Sequence, residues 1–447
     1  MARYDFTEGN IFKQMLWFST PILLTNLLQT SYQFIDSLWV GNLLGAQALG
    51  AVAVSGTVIF TILSFVIGVN NASLTILSQQ KGKGNEEGLK NYLNAFVVTL
   101  TCLAFVLGVV GYFLARPILM MLGTPPSMVD EATLYLKINF VGILFLFGYN
   151  FIATVLRALG DSRTPLKFVC IAVLLNTVLA PLFIIQFHLG IEGAAYATLI
   201  SQAFAFLYGL ALIIRKKLAP FTKPSLPQKE EILLILKLGI PAGLQMMVIS
   251  SGVMAIMSVV TSFGEHTVAG FGAAQRLDSL LMLPAMALGT AVSSMAGQNI
   301  GVSKWDRVHK IARYGVLYNL VIMLVVSVII FFFAHEAVSL FTNDESAIKF
   351  GGEYLQIIAF FYPLLGINFI LNGVVRASGA MIQILLLNVV SLWVLRYPLT
   401  YGLSAFFGEM GIGLGMGISF LISSIVVYFY YRYGKWKEKE LFEKKRM

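Results

Sequence analysis

Apolar runs of about 20 residues recur from one end of this chain to the other, and that repetition decides its class. A run of that length, wound as a helix, matches the ~30 Å thickness of a bilayer's hydrocarbon core. Strand-type alternation is absent, which argues against a membrane barrel. Only 12% of the residues are charged and 57% are hydrophobic, with a mean hydropathy of +0.80; soluble domains carry roughly twice that share of charge. The expected fold class is an all-α polytopic membrane protein. Hydropathy and breaker residues predict twelve transmembrane helices, at roughly 12–39, 47–77, 91–115, 132–157, 165–187 and 190–214, then 231–262, 267–297, 312–335, 354–375, 381–407 and 411–432. The first, from Phe12 to Val40, would be about 43 Å long if straight, so it should tilt or bend, and Pro21 is the expected place.

The net charge of +9 could suggest a nucleic-acid partner, but its distribution points elsewhere. With twelve spans, the termini and the even-numbered loops hold 26 of the 31 Lys and Arg, from Arg3 and Lys13 to the C-terminal tail. Such asymmetry predicts both termini in the cytoplasm, and no nucleic acid as partner. The polar start MARYDFTEGNIFKQ is not a cleavable signal. Cys102 and Cys170 lie in apolar stretches, and the four histidines show no ligand spacing, so neither a disulfide framework nor a metal site is expected.

One connection has linker composition, 215–230, with prolines and lysines and no apolar run. It divides the chain into 1–214, a six-helix lobe, and 231–432, a second one, followed by a basic tail at 433–447. The two halves repeat. Gly45 and Gly264, Gln79 and Gln298, Tyr135 and Tyr354, Arg157 and Arg376, and Gly160 and Gly379 are all separated by one common offset, and Pro21 and Pro241 depart from it by a single position. Six spans per copy is an even number, so the copies are parallel repeats, an arrangement that builds transporters with a substrate site between the halves.

The first span carries Asn26, Gln29, Gln33 and Asp36, spaced 3, 4 and 3 residues apart and therefore on one helical face. Such a stripe cannot face lipid; it must face other helices or a water-filled cavity, and an ionisable group there marks a pathway or a coupling site. Asn176, Asn150 and Tyr32 are candidate hydrogen-bond partners for the Asp36 carboxyl, whose charged form burial disfavours. The other charges at membrane depth are Arg276, Asp278 and Arg396. Either an arginine pairs with Asp278 as helix glue, or these groups form a second polar patch that contacts substrate.

The pair RALGDSRTP (157–165) and RASGA (376–380) resembles the multidrug and toxic compound extrusion (MATE) family. So do the turns LSQQKGKG (77–84) and AGQNIGVSK (296–304) and the run FIDSLWVGNLLGAQALGA (34–51). The stretch 273–301 is most similar to the bacterial DinF-like branch. The resemblance covers the whole chain. It implies a V-shaped pair of lobes and antiport of a cation against small organic compounds, often cationic and aromatic. It also implies that Asp36 is the acidic coupling residue, that helix one bends at Pro21, and that Thr198 lines the same lobe. The family's Asn-x-x-x-Asp-Pro in span five is here Asn176 to Pro181 with Ala180 in place of the acid. Spans seven and ten lack the carboxylates of NorM-type members and hold Gln245, Asn368 and Asn372 instead.

The expected function is a secondary antiporter that exports such compounds in exchange for protons. The alternatives are sodium coupling and a lipid-linked oligosaccharide flippase of the same superfamily. Asp36, Asn176, Tyr32, Asn150 and Thr198 are the expected coupling residues; Asn26, Gln29, Gln33, Arg276, Asp278 and Asn372 are expected at the substrate cavity. No cofactor is expected, since GIGLGMG (411–417) and GKGNEEG (82–88) match neither nucleotide-binding pattern. An enzyme is not expected either, because no nucleophile–base pair lies in a span. The expected partners are small molecules and the bilayer, with the protein itself a monomer.

Overall fold

The computed structural model describes residues 4–439 and 441–442. Arg3 and the tail residues Lys444, Lys445 and Arg446, which enter the charge count above, lie outside the described residues. Helices account for nearly all of the described chain, and no strand occurs among the described residues. They are α1 (Ile11–Leu44), α2 (Ala46–Gly82), α3 (Glu86–Met121), α4 (Pro126–Val141), α5 (Ile143–Ala158), α6 (Arg163–Pro181), α7 (Gly190–Arg215) and α8 (Lys229–Thr261). There follow α9 (Glu265–Leu281), α10 (Leu283–Gly301), α11 (Trp305–Ser339), α12 (Glu345–Ala359), α13 (Tyr362–Ala377), α14 (Met381–Val389), α15 (Tyr397–Phe407) and α16 (Met410–Tyr433). Wider π-helical turns, Leu182–Gln186 and Val390–Arg396, follow α6 and α14.

Among the described residues nine helical segments are long and apolar enough to cross a membrane, or eleven with each of two bent pairs taken as one span. The twelfth is α1, whose 34 residues reach about 51 Å at the standard rise; its polar stripe dilutes its hydropathy. It continues as one helix through Pro21. Large apolar side chains project from the outer faces of the long helices, Phe105, Val109 and Phe113 on α3 and Val321, Val328 and Phe332 on α11 among them. Such faces are what a lipid solvent requires.

The repeat is visible in the backbone. Span four is α4 and α5, bent by 51°, and span ten is α12 and α13, bent by 55°. The breaks fall at Gly142 and Phe361, which are repeat-related positions. Pro363, in the first turn of α13, has no N–H to donate back across its break. Gly142 holds the other break, where Leu199 Cγ lies 3.0 Å from the place a β-carbon would occupy. Gly45 and Gly264 have φ of 89° and 103°, and Gly160 and Gly379 have φ of 84° and 89°, a region that disfavours side chains. The sequence pairs therefore mark backbone turns that each copy needs.

By packing, the described residues fall into two compact units: Tyr4 with Leu24–Gly239, and Asp5–Leu23 with the described residues from Ile240 onward. The division along the chain thus differs from one drawn at 215–230. The start of the chain belongs with the second unit: Gln298 Oε1 accepts from the Phe6 amide at 3.2 Å, Asn299 Nδ2 donates to the Phe6 carbonyl at 2.9 Å, and Tyr318 donates to the Phe12 carbonyl at 3.2 Å. Helix α1 passes from one unit to the other just after Pro21, and α8 just before Pro241. The connection at 215–230 lies in the first unit and is pinned to α3. Asn94 accepts from the Ser225 amide and donates to the Ser225 carbonyl, both at 2.9 Å. The first unit's core gathers Val40, Ala51, Phe140, Phe147 and Ala194. The second gathers Phe271, Tyr354, Ile358, Met416 and Phe420.

Candidate functional site

In the first unit the polar face of α1 turns toward α5 and α6. Asp36 is 7% exposed, and the Asn176 amide of α6 donates to its Oδ1 at 3.4 Å. Asn176 is fully buried, and its own Oδ1 has no hydrogen-bond partner. Tyr32, one turn earlier on α1, and Tyr135 of α4 both lie within electrostatic range of Asp36. The Thr198 hydroxyl of α7 stands beside that of Tyr32, close enough to act on it but outside good hydrogen-bond geometry, and both oxygens are buried. The structure therefore brings together three of the four residues expected around the Asp36 carboxyl.

Asn150 is the exception. Its Nδ2 donates to the Leu146 carbonyl of its own helix at 2.8 Å, a local bond that competes with any longer reach. Of the remaining stripe, Gln29 donates to the Tyr149 hydroxyl of α5 at 2.6 Å. Asn26 is half-buried and Gln33 is exposed. Pro21 is buried, in the other unit.

In the second unit Asp278, half-buried on α9, is held by two phenols. Tyr354 of α12 donates to its Oδ2 at 3.3 Å, and Tyr362 of α13 donates to its Oδ1. Neither arginine takes the role of its ion-pair partner. The Arg276 guanidinium is exposed and sits 5.9 Å from the centre of the Phe341 ring. Arg396, at the end of the second π segment, donates to Ser419 at 3.2 Å and lies 4.6 Å over the Phe420 ring. The expected pairing of an arginine with Asp278 does not form; two tyrosines hold the carboxyl instead. Asn372 is half-buried, with its Oδ1 unpaired.

The MatE family model matches this chain twice, over residues 21–182 and again over 241–402. The chain belongs to the MatE family. Both matches begin at the repeat-related prolines, so the family unit recurs once in each half of this MatE protein. It is 61% identical over 445 residues, all of both chains, to the probable multidrug resistance protein YpnP of Bacillus subtilis (strain 168). The probable multidrug resistance protein NorM of Thermotoga maritima is 24% identical, with 97% of this chain and 95% of that one covered. Among solved structures, a MATE protein in complex with MaL6 superposes with a TM-score of 0.90 at 24% identity, over 96% of this chain and 97% of the other. An outward-facing multidrug resistance MATE transporter gives 0.91 at 23% identity, with 96% of each chain covered; these two likenesses show the fold. The family is one of transporters, and this MatE protein is a membrane protein.

The tyrosines are what the sequence reading missed. Tyr135 and Tyr354 are repeat partners; Tyr354 bonds its unit's carboxyl, and Tyr135 lies within electrostatic range of Asp36. The repeat itself was the available signal: two tyrosines kept at one register in both halves, at the start of the fourth and tenth spans. Tyr149 and Tyr362 had no such mark.

Proposed function

We propose that this protein is a proton-coupled antiporter that exports small organic, cationic or aromatic compounds across the plasma membrane, with both termini in the cytoplasm. The observation that carries the reading is the enclosure of Asp36 beside Asn176. A carboxylate at this depth bears a desolvation cost that a bound proton removes. An amide suits both protonation states. In the observed orientation its N–H₂ donates to the carboxylate; turned over, its carbonyl accepts from the acid O–H. Proton binding and release then need only a side-chain flip, with no helix moved. Gln29, Gln33 and Asn26, one to three turns away on the same face, offer polar contacts to a substrate. Competition between that cation and a proton at one face of α1 yields exchange. Parallel repeats support alternating access, and the relatives that carry the words multidrug resistance support the substrate class.

Sodium coupling is the arm the test must separate, because Asn176 Oδ1, Thr198 Oγ1 and Tyr32 Oη are further oxygens around the single carboxylate. Against it, Ala180 stands where a second acid would complete a cage. The test is efflux of a fluorescent organic cation from vesicles under an imposed pH gradient, then under an imposed sodium gradient. The pH gradient alone should drive it, and Asp36→Asn should bring it down to the level of empty vesicles while the protein stays folded. Full transport by that variant, or transport that follows sodium and ignores pH, overturns the proposal.

A further inference from the structure

Asp278 lies where hydropathy alone would place no carboxylate. It projects from α9 into the second unit, whose apolar cluster takes Phe271 and Ala274 from α9 itself, Met323 and Ile330 from α11, and Met416 and Phe420 from α16. Its two oxygens are each claimed by a different phenol, from α12 and from α13. The titratable and charged groups around it are few. Tyr354 and Tyr362 touch it; Arg396 acts on Tyr354 through its charge while bonded to Ser419; Arg276, two residues along α9, faces Phe341. No guanidinium lies within ion-pair distance of Asp278 among the described residues.

We infer that Asp278 is a second proton-binding site of this protein, built in the second unit from one carboxyl and the hydroxyls of Tyr354 and Tyr362. A buried carboxylate with no cation beside it keeps its charge only through donated hydrogen bonds. Phenols suit the exchange because a hydroxyl both donates and accepts. With the carboxylate charged, both phenols donate to it. When a hydronium ion gives up a proton to Oδ2, water leaves, the new O–H donates to the Tyr354 oxygen, and that hydroxyl rotates toward Met416 Sδ, already 3.4 Å away. No helix has to move. The site's oxygens other than the carboxylate are donors aimed at it, which suits a proton and not a metal ion, whose cage needs acceptors. The inference extends the coupling reading given above, yet it stands on different residues and is tested apart from it.

The test is infrared difference spectroscopy of the full-length protein in lipid, stepped from acid to alkaline pH and read at the carbonyl stretch of protonated carboxyl groups. In an Asp36→Asn background, one pH-dependent band from an enclosed carboxyl should remain. Asp278→Asn should remove it, Asp278→Glu should restore it at a displaced position, and Tyr362→Phe should move it, because that stretch reports the hydrogen bonds made to the group. If the spectra with and without Asp278 are identical, the site binds no proton and the inference falls. Tyr362→Phe keeps the Asp278 carboxyl, so an unmoved band in that variant also overturns it, even if Asp278→Asn fails to fold. Failure of the Asp36 reading looks different: efflux by Asp36→Asn persists and the Asp278 band is untouched.

Discussion

The two units carry the same six-span pattern, with breaks and left-handed glycines at matched positions, but they place their membrane-depth carboxyl on different helices. In the first unit it comes from α1 and is met by an amide; in the second it comes from α9 and is met by two phenols. At the repeat offset, Ala255 stands in the place of Asp36, and Ile59 in the place of Asp278. What both copies retain is the tyrosine of span four and span ten, Tyr354 bonded to Asp278 and Tyr135 within electrostatic range of Asp36. The contrast separates two kinds of constraint. A helix break or a tight turn is demanded by backbone sterics, which both copies share, so it persists. Which helix supplies a charge is not demanded by the fold, so the copies are free to differ there.

The contrast can be broken most directly by removing one donor from each acid. Asn176→Leu leaves Asp36 without its amide, the equivalent of losing a hydrogen bond to a charged group, about 1.5–3 kcal/mol. Efflux driven by a pH gradient should fall by roughly 10- to 100-fold. Tyr362→Phe leaves Tyr354 on Asp278, and the same assay should show a smaller loss. Equal losses would mean that the two acids are not held differently. A second comparison concerns the matched glycines. A β-carbon at Gly160 would meet the Tyr4 carbonyl oxygen at 2.3 Å, whereas one at Gly379 would meet the tip of Leu441 at 2.4 Å. Both positions have positive φ, so both alanine variants are strained. Gly160→Ala should lose about 2–3 kcal/mol and Gly379→Ala about 1–2 kcal/mol, since a side chain can swing aside and a backbone carbonyl cannot. Thermal unfolding midpoints in one detergent decide the order, and the reverse order would refute the steric account. The smallest effect is expected at the pair Gly84 and Ser303, with φ of 65° and 58°. Ser303→Gly should gain up to about 1 kcal/mol by relieving a left-handed serine, and Gly84→Ser should lose a similar amount. A lower unfolding midpoint for Ser303→Gly would show that the serine side chain stabilises its turn.

Much of this molecule was legible in the chain alone, because lipid is an unforgiving solvent. It requires long apolar helices, which hydropathy reveals, and it rejects a polar stripe, so Asn26, Gln29, Gln33 and Asp36 stood out by their spacing. The same reasoning located Asp278. The repeat, and with it the glycines at matched turns, could be read from identities at one offset. Only the tertiary structure decided who meets whom. Asn176 and Asn150 looked alike as partners for Asp36, yet one reaches the acid and the other donates to the Leu146 carbonyl, a choice set by helix rotation. Tyr354, though marked by the repeat, and Tyr362 lie 76 and 84 residues from the acid they hold, and nothing in the chain names that partner. That residues 5–23 pack with the second unit was equally hidden. Hydropathy reports how much of a helix is apolar, but not which neighbour covers it; that is fixed by the fit of side chains between helices, which exists only once the chain has folded.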